Sequence, residues 1–240
     1  MPPIDISVVV PVFDEEEAAP RLAREIASAF EGMAYEMVFV DDASRDATRD
    51  VLTSLKAELP ALRVIAHGRN AGQSRAIRTG VLAARGAVIV TLDGDGQNDP
   101  ADGPRLAAAL AAGPARLALV GGERVKRQDS AAKRIASRLG NGVRKRLLKD
   151  AANDTGCGLK AFRRDAFLRL PYFDHIHRYL PALMLREGYE VAFQPVNHRH
   201  RQTGASKYTN LGRLWASISD LLGVAWLQRR SRSPQGVEEA

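Results

Sequence analysis

The chain has 240 residues, 45% of them hydrophobic, and a formal net charge of +7. That composition excludes disorder over most of the length, and one α/β domain of this size with a continuous core is common. A single cysteine, Cys157, excludes an intramolecular disulfide and fits a reducing compartment.

The N-terminal run MPPIDISVVVPVFDEEE has no basic region ahead of its short apolar stretch, so no signal peptide is expected. Ile4 to Val10 is β-branched and apolar on both faces, as a buried parallel strand requires. Glu15 to Phe30 carries Ala18, Leu22, Ile26 and Phe30 at helical spacing. Tyr35 to Val40 predicts a second strand, which runs into the acidic turn Asp41-Asp42-Ala43-Ser44. Asp46 to Leu59 predicts a helix, with Ser44 or Asp46 as its N-cap. Leu62 to Ala66 predicts a third strand, Gly72 to Ala84 a helix, and Ala87 to Leu92 a fourth strand ending at Asp93. This β-α-β-α-β-α-β order predicts an α/β fold: an open, mostly parallel, twisted Rossmann-like sheet with helices on both faces. Ligands bind such sheets beyond the carboxyl ends of the strands, where both acidic turns fall. The second half shows no further β-α-β series and no internal repeat.

The positive charge is regional. It gathers between Arg124 and Lys149, between His198 and Lys207, and at Arg229, Arg230 and Arg232. Such clusters attract polyanions, anionic lipid or phosphorylated substrates, or form a solvated basic face. Aromatic residues total 6% and no nucleic-acid motif is present, so no nucleic-acid partner is expected. Leu211, Leu214, Trp215, Ile218, Leu221, Leu222, Ala225 and Trp226 follow helical spacing and lead into Gln228-Arg229-Arg230. Two readings fit this amphipathic helix: a bilayer interface, or packing on the core. No stretch reaches the roughly 18–20 apolar residues of a spanning helix, and residues 231–240 read as a disordered tail.

Asp93-Gly94-Asp95-Gly96-Gln97 closes the apolar strand Val88 to Leu92. Two carboxylates one residue apart can share a hard cation, with glycines permitting the tight turn and Gln97 adding a neutral oxygen. The alternative is a polar turn. Asp41 and Asp42 are open to three roles: metal ligands, acceptors for a nucleobase N–H, or turn formers beside Ser44.

Taken together, several ordered motifs resemble family 2 glycosyltransferases of the polyprenyl-phosphate branch, the group that resembles dolichol-phosphate mannose synthase. They are Val10-Pro11-Val12-Phe13-Asp14-Glu15, Val40 to Thr48, Asn70-Ala71-Gly72, Asp93 to Pro100, Gly122-Glu123-Arg124, Asp154 to Lys160, His177-Arg178-Tyr179 and Arg201 to Tyr208. The resemblance covers about residues 4–230. It implies a GT-A fold in a single domain over 1–230, with a nucleotide-sugar half (1–100), an acceptor half (101–210) and the amphipathic helix (211–230). Residue by residue, it places Pro11, Phe13 and Glu15 at the nucleoside, although the family's usual Tyr-Asn-Glu is Phe13-Asp14-Glu15 here. Asp42 matches the base-contacting aspartate, and Asp93, Gly94, Asp95 and Gln97 match the metal and diphosphate site. Arg124, Arg201 and Lys207 match cationic positions near the diphosphate and the acceptor phosphate, where guanidinium groups bind phosphate bidentately. Arg178 and Ser206 join the acceptor-phosphate set. Asp154 would face the sugar as a base, an orienting group or a structural residue.

The expected activity is inverting transfer of a hexosyl group from a GDP- or UDP-sugar to a polyprenyl phosphate, with Mg2+ or Mn2+ as cofactor. Asp95, Asp154 and Arg124 are the expected catalytic residues. The alternative is transfer to a soluble glycan or protein. The expected location is cytoplasmic, peripheral to the inner face of the membrane, with a small integral membrane protein as a further partner. The basic segment Lys126 to Lys149 is a candidate second interfacial helix.

Overall fold

The computed structural model describes residues 4–125, 142, 144–199 and 210–231, with only the backbone described along 210–217. Arg201, Ser206, Lys207, residues 126–141 and the tail from 232 lie outside it.

The first half alternates as its periodicity requires: β1 (Ile6–Val12), α1 (Ala18–Ala29), β2 (Tyr35–Asp41), α2 (Thr48–Ser54), β3 (Leu62–Ala66), α3 (Gln73–Ala83) and β4 (Val88–Thr91). The helix expected from Asp46 begins at Thr48 and passes into a 3-10 turn at Leu55–Ala57. Asp46 still serves its start, because its carboxylate accepts the Thr48 N–H at 3.0 Å. Ser44 instead reaches back to the first loop, accepting the Asp14 N–H at 2.9 Å. The second half supplies α4 (Gly103–Ala112), β5 (Leu117–Arg124), β6 (Lys160–Arg163), α5 (Arg164–Leu168), α6 (Leu180–Arg186), β7 (Glu190–Val196) and α7 (Asn210–Arg230).

All seven strands share one sheet, ordered β3-β2-β1-β4-β6-β5-β7. β1 pairs in parallel with both β2 and β4, and β5 pairs in parallel with β7. β6 runs antiparallel between β4 and β5, joining the two halves into a single mixed sheet. β1, β2 and β4 are buried nearly throughout, which is why they read as continuous apolar runs without alternation.

Helices cover both faces. On one, Leu22 and Ile26 of α1, Phe30 at its C-cap, and Leu106 and Leu110 of α4 close over Val8, Val10 and Phe39. On the other, α3, α5, α6 and the end of α7 pack on Val9, Val38, Ile89 and Phe162. Gly80 of α3 allows the close approach on that face, since a Cβ there would lie 2.4 Å from Val9 Cγ1. Among the described residues, no helix is long and apolar enough to cross a membrane.

Candidate active site

Strand order reverses between β1 and β4, so their carboxyl ends diverge and open a crevice. The loops leaving β1 and β4 meet there. Gly94 lies against β1, where a Cβ would sit 2.6 Å from the Pro11 carbonyl oxygen and 2.7 Å from Val12 Cγ1. The motif glycine is therefore required for space. Gly96 (φ 71°) completes the turn in a left-handed conformation that favours glycine.

Asp93 leaves β4 into this crevice. Its Oδ1 accepts from Gln73 Nε2 at 2.7 Å, and its backbone N–H donates to Asn98 Oδ1 at 3.1 Å. Burial and the neighbouring Asp95 carboxylate push Asp93 up to about 6, opposed by the Lys160 charge and the Gln73 hydrogen bond. Asp95 Oδ1 accepts the Gln97 N–H at 3.1 Å, so the turn is also an Asx-turn. Turn and ligand readings thus coexist in the same residues. The segment after β7 returns to this loop: Arg199 N–H donates to the Gln97 carbonyl at 2.9 Å, and His198 bridges Asn98.

The loops after β1 and β2 are tied together on the other side of the crevice. Asp14 (φ 50°) accepts from the Arg45 N–H at 2.7 Å and from its guanidinium at 2.8 Å, and that guanidinium lies 5.4 Å from the Phe13 ring centroid. The Glu15 N–H donates to Thr48 Oγ1 at 2.8 Å. Asp41 closes the acidic turn by accepting the Ser44 N–H at 3.1 Å. Asp42 accepts from the Ala71 N–H at 2.9 Å and the Gly72 N–H at 2.7 Å, and its Oδ1 lies 2.7 Å from His67 Nδ1. Buried Asp42 therefore clamps the loop between β3 and α3.

Across the crevice, the end of β5 presents Arg124. Its Nε and Nη2 donate to Asp154 Oδ2 and Oδ1 at 2.5 and 2.7 Å, a two-pronged pair with both side chains largely buried. The Asp154 pair raises the Arg124 pKa against the lowering effect of its burial. Gly158 of the same loop presses on Asp93, since a Cβ there would lie 2.3 Å from the Asp93 carboxyl carbon. Lys160 follows, buried, with its ammonium on the Cys157 carbonyl. Cys157 itself is packed in the core, and burial pushes its thiol up, the opposite of an activated nucleophile. Behind the crevice His177 Nδ1 lies 2.7 Å from Ser74 Oγ.

The structure thus brings Pro11, Gly94, Asp93, Asp95, Arg124 and Asp154 to one crevice. Arg178 lies on a 3-10 turn (Ile176–Arg178) leading into α6, next to His177. Sequence reasoning missed Gln73, Asn98 and Lys160 as supports of Asp93. The available signals were weak: an amide beside Gly72, and a cation at the start of the apolar Ala161-Phe162 strand.

The donor set suits a hard cation. Among the described residues no group of three or more His, Cys, Asp or Glu side chains converges on a metal-sized site. Two carboxylates are nonetheless the usual protein share of a Mg2+-type site, which leaves positions for water and phosphate oxygens. The mutual repulsion of Asp93 and Asp95 is what a cation between them would relieve.

The architecture is the GT-A glycosyltransferase fold. Glucosyl-3-phosphoglycerate synthase from Mycobacterium tuberculosis, solved with Mn2+, UDP and glucosyl-3-phosphoglycerate, superimposes with a TM-score of 0.67 at 20% identity, over 94% of this chain and 80% of that one. The sequence model described as glycosyl transferase family 2 matches residues 7–170, and the chain belongs to that family. Dodecaprenyl-phosphate galacturonate synthase of Rhizobium johnstonii is 32% identical over 236 residues, covering 96% of this chain and 69% of that protein. Undecaprenyl-phosphate 4-deoxy-4-formamido-L-arabinose transferase of Sodalis glossinidius is 36% identical over 208 residues, covering 85% of this chain and 63% of that protein. The polyprenyl-phosphate resemblance read from the motifs is borne out by these relatives.

Proposed function

We propose that the chain transfers a hexosyl group, with inversion, from a GDP- or UDP-sugar to a polyprenyl phosphate in a divalent-metal-dependent reaction. The observation that carries this reading is the Asp93/Asp95 turn at the β1/β4 switch point, with the Arg124–Asp154 pair in the same crevice. The names of the relatives support a lipid phosphate as acceptor.

Mg2+ or Mn2+ held by Asp93 and Asp95, with Gln97 beside them, would neutralise a departing diphosphate. Pro11, Phe13, Glu15 and Asp42 line the nucleoside side, with Asp42 fixing the β3–α3 loop. Arg124 stabilises charge on the diphosphate, and Asp154 holds its guanidinium in the plane needed for that contact. A phosphate acceptor is already ionised near neutral pH, so it needs no base. Asp154, with both oxygens on Arg124, accordingly orients. Arg178, Arg201, Ser206 and Lys207 complete the reading as acceptor-phosphate contacts.

The test is a radiolabelled-donor assay with undecaprenyl phosphate and Mn2+ or Mg2+. Label should enter the lipid fraction, and Asp95→Ala or chelation should reduce it at least ~100-fold, the order expected for lost charge stabilisation at the leaving group. Undiminished lipid labelling in Asp95→Ala would remove the mechanism. Label entering only water-soluble glycan or protein would favour the other acceptor class.

A further inference from the structure

Lys160 is a buried cation that the reaction above does not use. It is 5% exposed, and Leu159, Ala161 and Phe162 around it are fully buried. β6 is flanked on both sides, with Lys160 opposite Thr91 of β4 and Gly121 of β5. An ammonium in such a place is costly unless acceptors and anions surround it. Those present are the Cys157 carbonyl, which accepts from Nζ, and the carboxylates of Asp93 and Asp154, which oppose the lowering of its pKa by burial and favour the charged form. The loop it anchors also touches the acidic turn. Thr91 Oγ1 donates to the Gly158 carbonyl at 2.8 Å, and Gly158 packs on the Asp93 carboxyl.

We propose that Lys160 is a positioning residue that holds the 154–158 loop against Asp93 and lowers the site's affinity for a bare divalent cation, so that the cation is taken up together with a nucleoside diphosphate. The inference rests on the metal reading of Asp93 and Asp95. A fixed positive charge behind one of two carboxylates opposes entry of a second cation, most strongly in a low dielectric. The negative charge of a diphosphate tips that balance back. Arg124, though engaged by Asp154, acts on Asp93 with the same sign and more weakly.

The test is titration of the full chain with Mn2+ at fixed pH, following the paramagnetic signal of the free ion, alone and with UDP or GDP. Wild type should bind Mn2+ at least tenfold more tightly with one of the diphosphates, and uridine or guanosine should produce no such gain. Lys160→Met and Lys160→Gln, with folding checked by their melting curves, should bind Mn2+ alone at least tenfold more tightly than wild type. Lys160→Arg should keep the wild-type affinity. Neutral variants that fold and bind Mn2+ no more tightly than wild type would overturn the inference, as would tightening by the bare nucleosides. Wild type that takes up no Mn2+ even with either diphosphate would instead remove the metal reading itself, and this inference with it.

Discussion

Gly158 shows how narrowly the acidic turn is held. A Cβ added there would lie 2.3 Å from both Cγ and Oδ2 of Asp93, and 2.4 Å from Oδ1. The carboxylate would have to rotate, leaving the 2.7 Å hydrogen bond from Gln73. Gly158→Ala is therefore expected to lower transfer at least ~10-fold through the misoriented ligand, the scale on which support of metal ligands acts, with Mn2+ binding reduced in parallel. Calorimetric Mn2+–nucleotide titration beside the labelled-donor assay checks it, and unaltered binding would mean that Asp93 is not a ligand in this orientation. The same residue scale explains what the motifs left open. Asp42 reads from sequence as a ligand, a base contact or a turn former. Its three partners at His67, Ala71 and Gly72 belong to a loop about 30 positions away, which no local pattern specifies.

At the scale of elements, the start of α3 ties separate regions together in four consecutive residues. Gly72 N–H donates to Asp42, Gln73 to Asp93, Ser74 meets His177, and Arg75 lies 3.8 Å over the Tyr172 ring. No side chain of the helix's own N-cap satisfies its first turn. Asp42, one residue past β2, accepts instead from the two N–H groups that lead into the helix, with a negative charge where the helix dipole favours one. His177 makes this junction sensitive to acid. Burial holds its pKa well below the ordinary 6.5, with the Lys160 and Arg178 charges acting the same way. The imidazole is then neutral when folded, while the unfolded chain takes up a proton below about pH 6.5. Stability from this group is present above pH 6.5 and falls as the pH drops below it. Urea titrations between pH 5 and 8 should show that decline in wild type and a flatter profile in His177→Gln. Identical profiles would assign the acid sensitivity to other groups.

For the molecule as a whole, α7 packs on the core through part of its apolar pattern and leaves the rest exposed. Val224 and Ala225 are buried in the core, and Gln228 donates to the carbonyls of Leu148 and Ala182 at 2.9 and 3.2 Å. His175 Nδ1 lies 2.9 Å from Asp220 Oδ2, tying the helix to the segment before His177. Ile218, Leu222 and Trp226 stand 42%, 60% and 61% exposed, at the spacing of one helical stripe that Arg229 continues. An apolar stripe beside a basic end suits an anionic bilayer surface, each basic group adding about 1 kcal/mol there. The counterpart proposed over Lys126 to Lys149 is described only at its end, where Leu148 and Arg144 turn inward and Arg144 pairs with Asp150 at 2.5 Å. The combined variant Ile218→Asp, Leu222→Asp and Trp226→Asp should change stability by no more than about 0.5 kcal/mol per site, as exposed positions do. It should also abolish flotation with anionic vesicles, from which wild type should be released by high salt. Flotation that survives the triple substitution would move the membrane contact elsewhere.

Much of this protein is written locally. Continuous apolar runs announce parallel strands because both faces of the sheet are covered, and helical periodicity announces the layers that cover them. The acidic turn is visible because Asp93-Gly94-Asp95 follows a strand at once. What local pattern does not contain is the partner of each charge. The β6 strand inserts antiparallel between β4 and β5, carrying Lys160 and the Asp154 loop to the back of a turn some 60 residues earlier. Arg124 meets Asp154 only because β5 and that loop end at the same edge of the crevice. Strand period and helix period act over a few residues, whereas the pairing of buried charges depends on strand order, which only the folded sheet decides.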